Sequence, residues 1–348
     1  MRRGTEIDFV ITWVDGSDPA WIREESAYYG QGISEDLSAV DARNMRYRDH
    51  GLFRYWFRGV EKFAPWVRKI HFVTWGHLPA WLDTEHPKLH VVRHEDYIPR
   101  EFLPTFNTNA IELSLHKIKG LSEHFVYFND DMFLLGPVRE TDFFRDGLPC
   151  DMLAFQPVVA NPANPVMSHL FLNNALVISR NFDKRENVRA QPGRYFKIGY
   201  PPLYFFYNLL ELAFPKYTGF YTVHGPAPFC KQTFQEVWEK EEQVMLETLS
   251  HRFRCRDDVT DYLIRDWQKL TGNFYPCNLE KDLAYFEFSE DNRRLYHTIK
   301  GQKKKMICIN DTNAEVDFDR IHEELQAAWD TILPERSAFE KNVPEERR

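Results

Sequence analysis

Short apolar runs rich in β-branched and aromatic residues recur along the first part of the chain, at Ile7 to Val14, Lys69 to Trp75, Leu89 to Arg93 and Phe125 to Asn129, each closed by polar or turn residues. The stretches between them carry helical spacing: Tyr55, Phe57, Val60 and Phe63 within Arg54 to Phe63, and Ile111, Leu115 and Ile118 within Asn109 to Lys119. Strands that alternate with helices are joined by crossovers, so the pattern predicts an α/β fold with a mostly parallel sheet and ligands at the carboxyl ends of its strands. The second half reads differently. Pro-rich loops at Asn161 to Pro165 and Pro201 to Pro202 separate its segments, two helical runs follow at Phe234 to Leu249 and Phe318 to Ile332, and a strand is expected at Met306 to Ile309. Neither an internal repeat nor a low-complexity linker divides the chain. The expectation is one catalytic unit over 1–348: an α/β core to about residue 180, and a helix-rich part from about 181 that packs over the sheet and completes the site.

Composition narrows the function. With 43% hydrophobic and 15% aromatic residues the chain has ample core and lies far from the disordered class. A net charge of -8 opposes a nucleic-acid backbone as main partner, because neutralising phosphates takes a basic field. Five widely spaced cysteines with no Cys-x-x-Cys pair read as reduced thiols of a cytosolic protein. Met-Arg-Arg-Gly leads straight into the first strand, so neither a signal peptide nor a spanning helix is expected ahead of the fold, and the location expected is cytoplasmic. The longest apolar stretch, Pro201 to Phe214, is too short to span a bilayer and carries Asn208 and Glu211; it is read as a core helix in preference to an interfacial one.

Chemistry concentrates at a few places. The strand Phe125-Val-Tyr-Phe-Asn129 runs into Asp130 and Asp131, and two adjacent carboxylates at a strand end repel unless a divalent cation such as Mg²⁺ or Mn²⁺ neutralises them; the other reading is a solvated turn. The first strand exits through Thr12-Trp13-Val14-Asp15-Gly16, either an ordinary turn or a nucleotide pocket with Trp13 as stacking face. Asn107, Thr108 and Asn109 open a helix whose free N–H groups suit a phosphate, and Glu112 lies four residues before His116 on it. Arg46, Arg48, Arg54 and Arg58 are either a diphosphate clamp or an ion-paired face. His224 precedes a Gly/Pro turn and is a general base or a surface residue, while Arg252, Arg254 and Arg256 gather before Asp257 and Asp258. Gly-x-Ser-x-Gly, Walker A, Gly-x-Gly-x-x-Gly and His-Glu-x-x-His are absent, which removes the usual hydrolase, NTPase, dinucleotide and zinc-protease readings.

The order of these blocks resembles the Stealth family of sugar-1-phosphate transferases. Ile7-Asp8 through Thr12-Trp13-Val-Asp15-Gly16 is similar to its first block. Arg46-Tyr-Arg-Asp49, Glu61 to Arg68, Val73-Thr-Trp-Gly76, Leu103-Pro-Thr-Phe106 and Asn129-Asp130-Asp131 resemble the second. His224-Gly-Pro226 with His251-Arg-Phe-Arg254 and Asp258 resembles the third; Cys308-Ile-Asn310-Asp311 with Pro334 to Glu340 resembles the fourth. His50-Gly51-Leu52 departs from the usual Asn-Glu-Leu, and Asp15 stands where some relatives have Asn.

The resemblance implies a glycosyltransferase-A-like, Rossmann-like core, a UDP-sugar donor, Mg²⁺ or Mn²⁺, and an oligo- or polysaccharide acceptor, free or lipid-linked, in capsular or exopolysaccharide synthesis. It places the family's acids on Glu112 and Asp131, its histidine on His224 and its arginine on Arg254. Asp131 with Asp130 would hold the metal, and Asp8, Thr12, Trp13, Asp15, Gly16, Arg46, Arg54 and Asn109 would seat the donor. His224 would act as base, Arg254 as charge stabiliser and Glu112 as metal ligand or orienter. It also leaves room for a peripheral contact with the membrane or a capsule-assembly complex. Two other readings compete: an ordinary glycosyltransferase releasing UDP, and a non-catalytic carbohydrate-binding assembly protein.

Overall fold

All four N-terminal apolar runs enter one sheet. In a computed structural model, which describes residues 6–29, 51–162, 164–311 and 317–341, they form β1 (Ile7–Trp13), β2 (Ile70–Thr74), β3 (Leu89–Arg93) and β4 (His124–Phe128). The shorter strands β5 (Met132–Leu134), β6 (Phe144–Arg145), β7 (Leu148–Asp151), β8 (Ala227–Cys230), β9 (Tyr275–Pro276), β10 (Leu283–Glu287) and β11 (Met306–Asn310) follow. The central sheet has the order β3-β2-β1-β4-β8, with parallel pairing throughout except for β8 against β4. From β1 the chain steps outward to β2 and β3, then returns to place β4 on the other side. Strand order therefore reverses between β1 and β4, and at such a reversal a crevice opens beyond the carboxyl ends. A second sheet, β10-β11-β5, begins directly after it, since β5 starts one residue beyond Asp131.

Alternation along the strands sends side chains to two cores. Ile7, Phe9 and Ile11 of β1 join Val126 and Phe128 of β4 on one face; Val10 joins Phe125 and Tyr127 on the other. The first face is covered by the helix Phe53–Phe63 and by Phe318–Ile332, whose Trp56, Phe57 and Trp329 are fully buried. Truncating such a side chain costs about 3–5 kcal/mol. Arg58 cements this packing: Nε and Nη2 fork onto the Glu340 carboxylate at 2.8 and 2.9 Å, and Nη1 donates to the Leu333 carbonyl at 3.0 Å. Of the two readings of the arginine face, the ion pair is the one Arg58 adopts.

The second core is covered by the helix Asp261–Leu270, among the most buried in the chain and absent from the periodicity reading. Three other expectations change in shape. The helix expected to Lys119 stops at Leu113 and continues as a 3₁₀ turn, Leu115–Lys117, after which Leu115 and Ile118 still reach the core. His116 thereby leaves Glu112 and stacks on Phe234 at 5.5 Å. The run Phe234 to Leu249 breaks at Glu241 into Lys231–Lys240 and Glu242–Ser250. The apolar run after Pro201 is a helix, Pro202–Glu211, but its leucines and phenylalanines face outward, so it is not the core helix expected.

Asp8, expected at the donor site, sits instead at the far end of β1 from the crevice. Fully buried, it accepts from Arg68 Nε at 2.8 Å, from the Ser122 N–H at 2.8 Å and pairs with His71 Nε2 at 3.0 Å. Burial would raise its pKa, but these donors outweigh burial and hold the carboxyl below its ordinary value. Asp8→Ala leaves all three donors without their acceptor and should destabilise the fold by about 3 kcal/mol in urea denaturation; a loss under about 1 kcal/mol would contradict this role.

Candidate active site

Three strand ends build the crevice. β1 brings Thr12 and Trp13, and β4 runs into the turn Asn129-Asp130-Asp131 before the chain re-enters as β5. β11 lies antiparallel to β5, and the Ile309 N–H donates to the Asp131 carbonyl at 2.9 Å, so Asn310 and Asp311 emerge beside the paired acids. The segment leading into β8 and the N-terminus of the helix Asp261–Leu270 close the other wall around a cavity of about 850 Å³, a size typical of ligand clefts.

Asp131 is the centre of a cluster. Its Oδ2 receives His224 Nε2 at 3.2 Å and the Cys308 thiol at 3.1 Å, while its buried Oδ1 has no hydrogen-bond partner. Because a carboxylate only accepts, Nε2 carries the hydrogen, and His224 Nδ1 accepts from the Tyr262 hydroxyl at 2.8 Å. Burial pulls the His224 pKa down, yet the bond to Asp131 and its charge more than offset that and leave it above the ordinary imidazole value. Behind the ring, Arg265 donates Nη1 to the Val223 carbonyl at 2.8 Å and forks onto Asp151, both residues being fully buried. That pair fixes the backbone one residue before His224.

A second group lies deeper. Tyr127 donates to Glu112 Oε1 at 2.8 Å and accepts from Thr12 Oγ1 at 2.9 Å. Burial first, and the charge of Asp261 next, push the Glu112 pKa well above the carboxylate range; Asp261 is itself pushed up to about 6 by burial. Arg254 acts against this rise at Glu112, and its own buried Nε has no hydrogen-bond partner. The position of Arg254 rests on Asp258, a fully buried carboxylate. Oδ2 of Asp258 accepts from Asn107 Nδ2 at 2.8 Å, Asn109 Nδ2 at 3.0 Å and the Cys255 N–H at 2.9 Å, and Oδ1 accepts from His251 Nδ1 at 2.7 Å. One side chain thus ties the loop carrying Arg254 to the start of the helix carrying Glu112.

Of the residues expected from sequence, Asp130, Asp131, Glu112, His224, Arg254, Thr12, Trp13 and Asn109 line this one cavity. Three of them are already engaged. Trp13 stacks on Phe53 at 5.8 Å, which takes a face expected for a base; the Thr12 hydroxyl is bound to Tyr127; the Asn109 amide is bound to Asp258. Asp15 and Gly16 are not part of the wall: Asp15 accepts from the Ser17 N–H and hydroxyl, and its own N–H donates to His77. Arg54 is exposed over Trp81 at 5.7 Å, outside the cavity, and Arg46 lies outside the described residues. Asp261, Tyr262 and Tyr127 join the site without having been expected there. The pair Thr260-Asp261 is an N-cap signature that could have located the first two.

The structure so far defines a class: a parallel-sheet α/β protein with an acidic cleft at the strand-order reversal, completed by a histidine and an arginine from the second half of the chain. Similarities give the family. The Stealth protein CR1, conserved region 1, matches residues 5–31, and CR2, conserved region 2, matches residues 46–150. A capsular polysaccharide phosphotransferase, WcwK, of Streptococcus pneumoniae is 40% identical across 98% of this chain and 100% of its own length. The exopolysaccharide phosphotransferase cps2G of Lactiplantibacillus plantarum is 40% identical across 97% and 96%, and the receptor polysaccharide phosphotransferase WefC of Streptococcus gordonii 37% identical across 96% and 99%. Among solved structures, an active-site mutant of LgtC aligns at 11% identity over 97% of this chain and 98% of that one, with a TM-score of 0.39. The chain belongs to the Stealth family.

Asp258→Asn keeps the side-chain volume but turns one acceptor oxygen into a donor that faces other donors. Turnover should fall on the order of 10²-fold through displacement of Arg254, with native far-UV circular dichroism; unchanged turnover would detach Arg254 from this clamp.

Proposed function

We propose that the protein transfers a sugar 1-phosphate from a UDP-sugar to a hydroxyl of an oligo- or polysaccharide acceptor, in the synthesis of capsular or exopolysaccharide, with UMP as leaving group. The observation that carries the reading is the meeting of His224 and Arg254 with Asp131 and Glu112 in one cavity, alongside full-length relatives named as polysaccharide phosphotransferases.

A divalent metal fits the residues present. Asp131 Oδ1 is buried without a hydrogen-bond partner, and the carboxylates of Asp130 and Asp311 line the same cavity, which is a donor set of hard oxygens suited to Mg²⁺ or Mn²⁺. When bound, such an ion supplies neutralisation of diphosphate charge in the ground state and on the leaving group.

The protein's own groups do the rest. Once Asp131 no longer accepts from His224 Nε2, the neutral ring carries its single hydrogen on Nδ1, donated to the Tyr262 oxygen, and the bare Nε2 takes the proton of an acceptor hydroxyl. The acceptor oxygen forms a bond to the β-phosphorus, and the bond from that phosphorus to the bridging oxygen breaks, its electron pair leaving with UMP. Arg254, whose Nε lacks a protein partner, meets the charge that develops on the transferred phosphoryl group. The Thr12–Tyr127–Glu112 chain holds a buried acid in a fixed orientation beneath it.

With purified enzyme, activity should vanish in EDTA and return with Mg²⁺ or Mn²⁺, and Asp131→Asn should stay inactive at any metal concentration while folding normally; full activity in EDTA would refute the metal role. His224→Ala should lower kcat about 10²- to 10⁴-fold and Arg254→Ala about 10²- to 10³-fold, with UDP affinity by calorimetry little changed; near-normal kcat in both variants would remove them from the chemistry.

A further inference from the structure

The helix Pro202–Glu211 is amphipathic in the reverse sense. Its inward face is polar: Tyr204, Asn208 and Glu211 are the buried residues. Each has a specific partner. Asn208 Oδ1 accepts from the Phe155 N–H at 2.7 Å, and its Nδ2 donates to the carbonyls of Leu153 and Tyr195. Glu211 accepts from Lys184 Nζ at 2.7 Å and from Thr218 Oγ1 at 2.7 Å, and the Tyr204 hydroxyl donates to Glu280 at 3.0 Å. With its polar side locked inward, the helix cannot roll to bury the other side.

That other side is apolar and continuous along the sequence. Leu203, Phe205, Phe206, Leu209, Leu210, Leu212 and Phe214 are each 44% to 54% exposed, and Ile198, just ahead of them, is 95% exposed. Scattered single hydrophobes are normal on a surface, whereas so dense a set marks a face that is covered in use. No exposed acid interrupts it, because the sole carboxylate between 198 and 214, Glu211, is the buried one. Its flanks are basic. From residue 183 to 216 there are six lysines and arginines against three acids, in a chain of net charge -8, and the exposed Arg185, Arg189, Lys197 and Lys216 outnumber the exposed Asp183 and Glu186.

We infer that this face docks on an anionic membrane surface, with the outward leucines and phenylalanines in the headgroup and upper acyl region and the basic flanks on lipid phosphates. Aliphatic and aromatic side chains within a cationic border are the chemistry of an interfacial helix. A second copy of the chain is the less complementary occupant, since a two-fold contact through this face brings two basic flanks together with no exposed acid on the helix to answer them. The placement also has a use. Tyr204 stacks on Tyr221 at 4.0 Å, and both hydroxyls donate to Glu280, so the segment carrying His224 lies directly behind the docked helix. The surface is independent of which bond the enzyme breaks.

The full chain is tested by flotation with vesicles of phosphatidylcholine alone and of phosphatidylcholine mixed with phosphatidylglycerol. It should bind the mixed vesicles at least about tenfold more tightly than the neutral ones, and less tightly as salt is raised. The double variant Phe206→Ser, Leu209→Ser should lose about tenfold or more of that binding while melting at an unchanged temperature, since both side chains point away from the fold. Lys197→Glu with Lys216→Glu should weaken binding to mixed vesicles alone. Three results would overturn the inference: no preference for anionic vesicles, binding that the Phe206/Leu209 variant leaves intact, or a solution dimer that this variant returns to monomer in a protein that ignores vesicles.

Discussion

The hydrogen bond from His224 to Asp131 joins residues 93 positions apart, at the place where the central sheet gives way to the second one. It depends on β4 ending at Phe128 and β5 beginning at Met132, which leaves room for only the three residues of the turn. That turn exposes Asp130 and Asp131 to a cavity, and β11, by pairing with β5, adds Cys308 and Asp311 at the same level. Adjacent carboxylates repel, and in this arrangement their charge is met from one side by a histidine that the buried Arg265–Asp151 pair holds in place. The other side, Asp131 Oδ1, faces inward without a partner.

The same logic of charges held in advance runs through the deeper part of the cleft. Glu112 and Asp261 are buried acids that both resist ionisation, and the guanidinium of Arg254 lies near enough to moderate Glu112. The protein maintains this unfavourable arrangement by fixing the backbone on both sides of it: Asp258 gathers the loop of Arg254 and the cap of the Glu112 helix into one network, and Arg265 secures the segment before His224. Groups preset in this way do not reorganise when a diphosphate arrives, which is the condition under which electrostatic stabilisation is most effective.

Much of this is legible in the sequence, and the division follows physical lines. Strands β1, β2 and β4 are readable because they are buried on both faces and so are mostly apolar, the edge strand β3 being half-buried, and the parallel arrangement follows from their spacing. Asp131, Glu112, His224 and Arg254 stand out through the order of short motifs, and all four line the one cavity. Side-chain partnership is not readable. Asp8 sits on the same strand as Thr12, yet lies at its opposite end with Arg68 and His71, and Trp13 spends its face on Phe53. Position along a strand fixes the face of a residue, not its depth or its neighbours. The helix Pro202–Glu211 misleads for a related reason: apolar composition suggests burial, while the direction of the helix is decided by where Asn208 and Glu211 find partners.

Which bond breaks can be followed with one isotope. A UDP-sugar carrying ¹⁸O between the anomeric carbon and the β-phosphorus is turned over with acceptor, and polymer and nucleotide are each examined by mass spectrometry and phosphorus NMR. Attack on phosphorus, the step proposed for this site, leaves the label in a new phosphodiester of the polymer and releases unlabelled UMP. Attack on carbon would send the label out with UDP and leave the polymer without phosphate, and that outcome would contradict phosphoryl transfer by Asp131, His224 and Arg254.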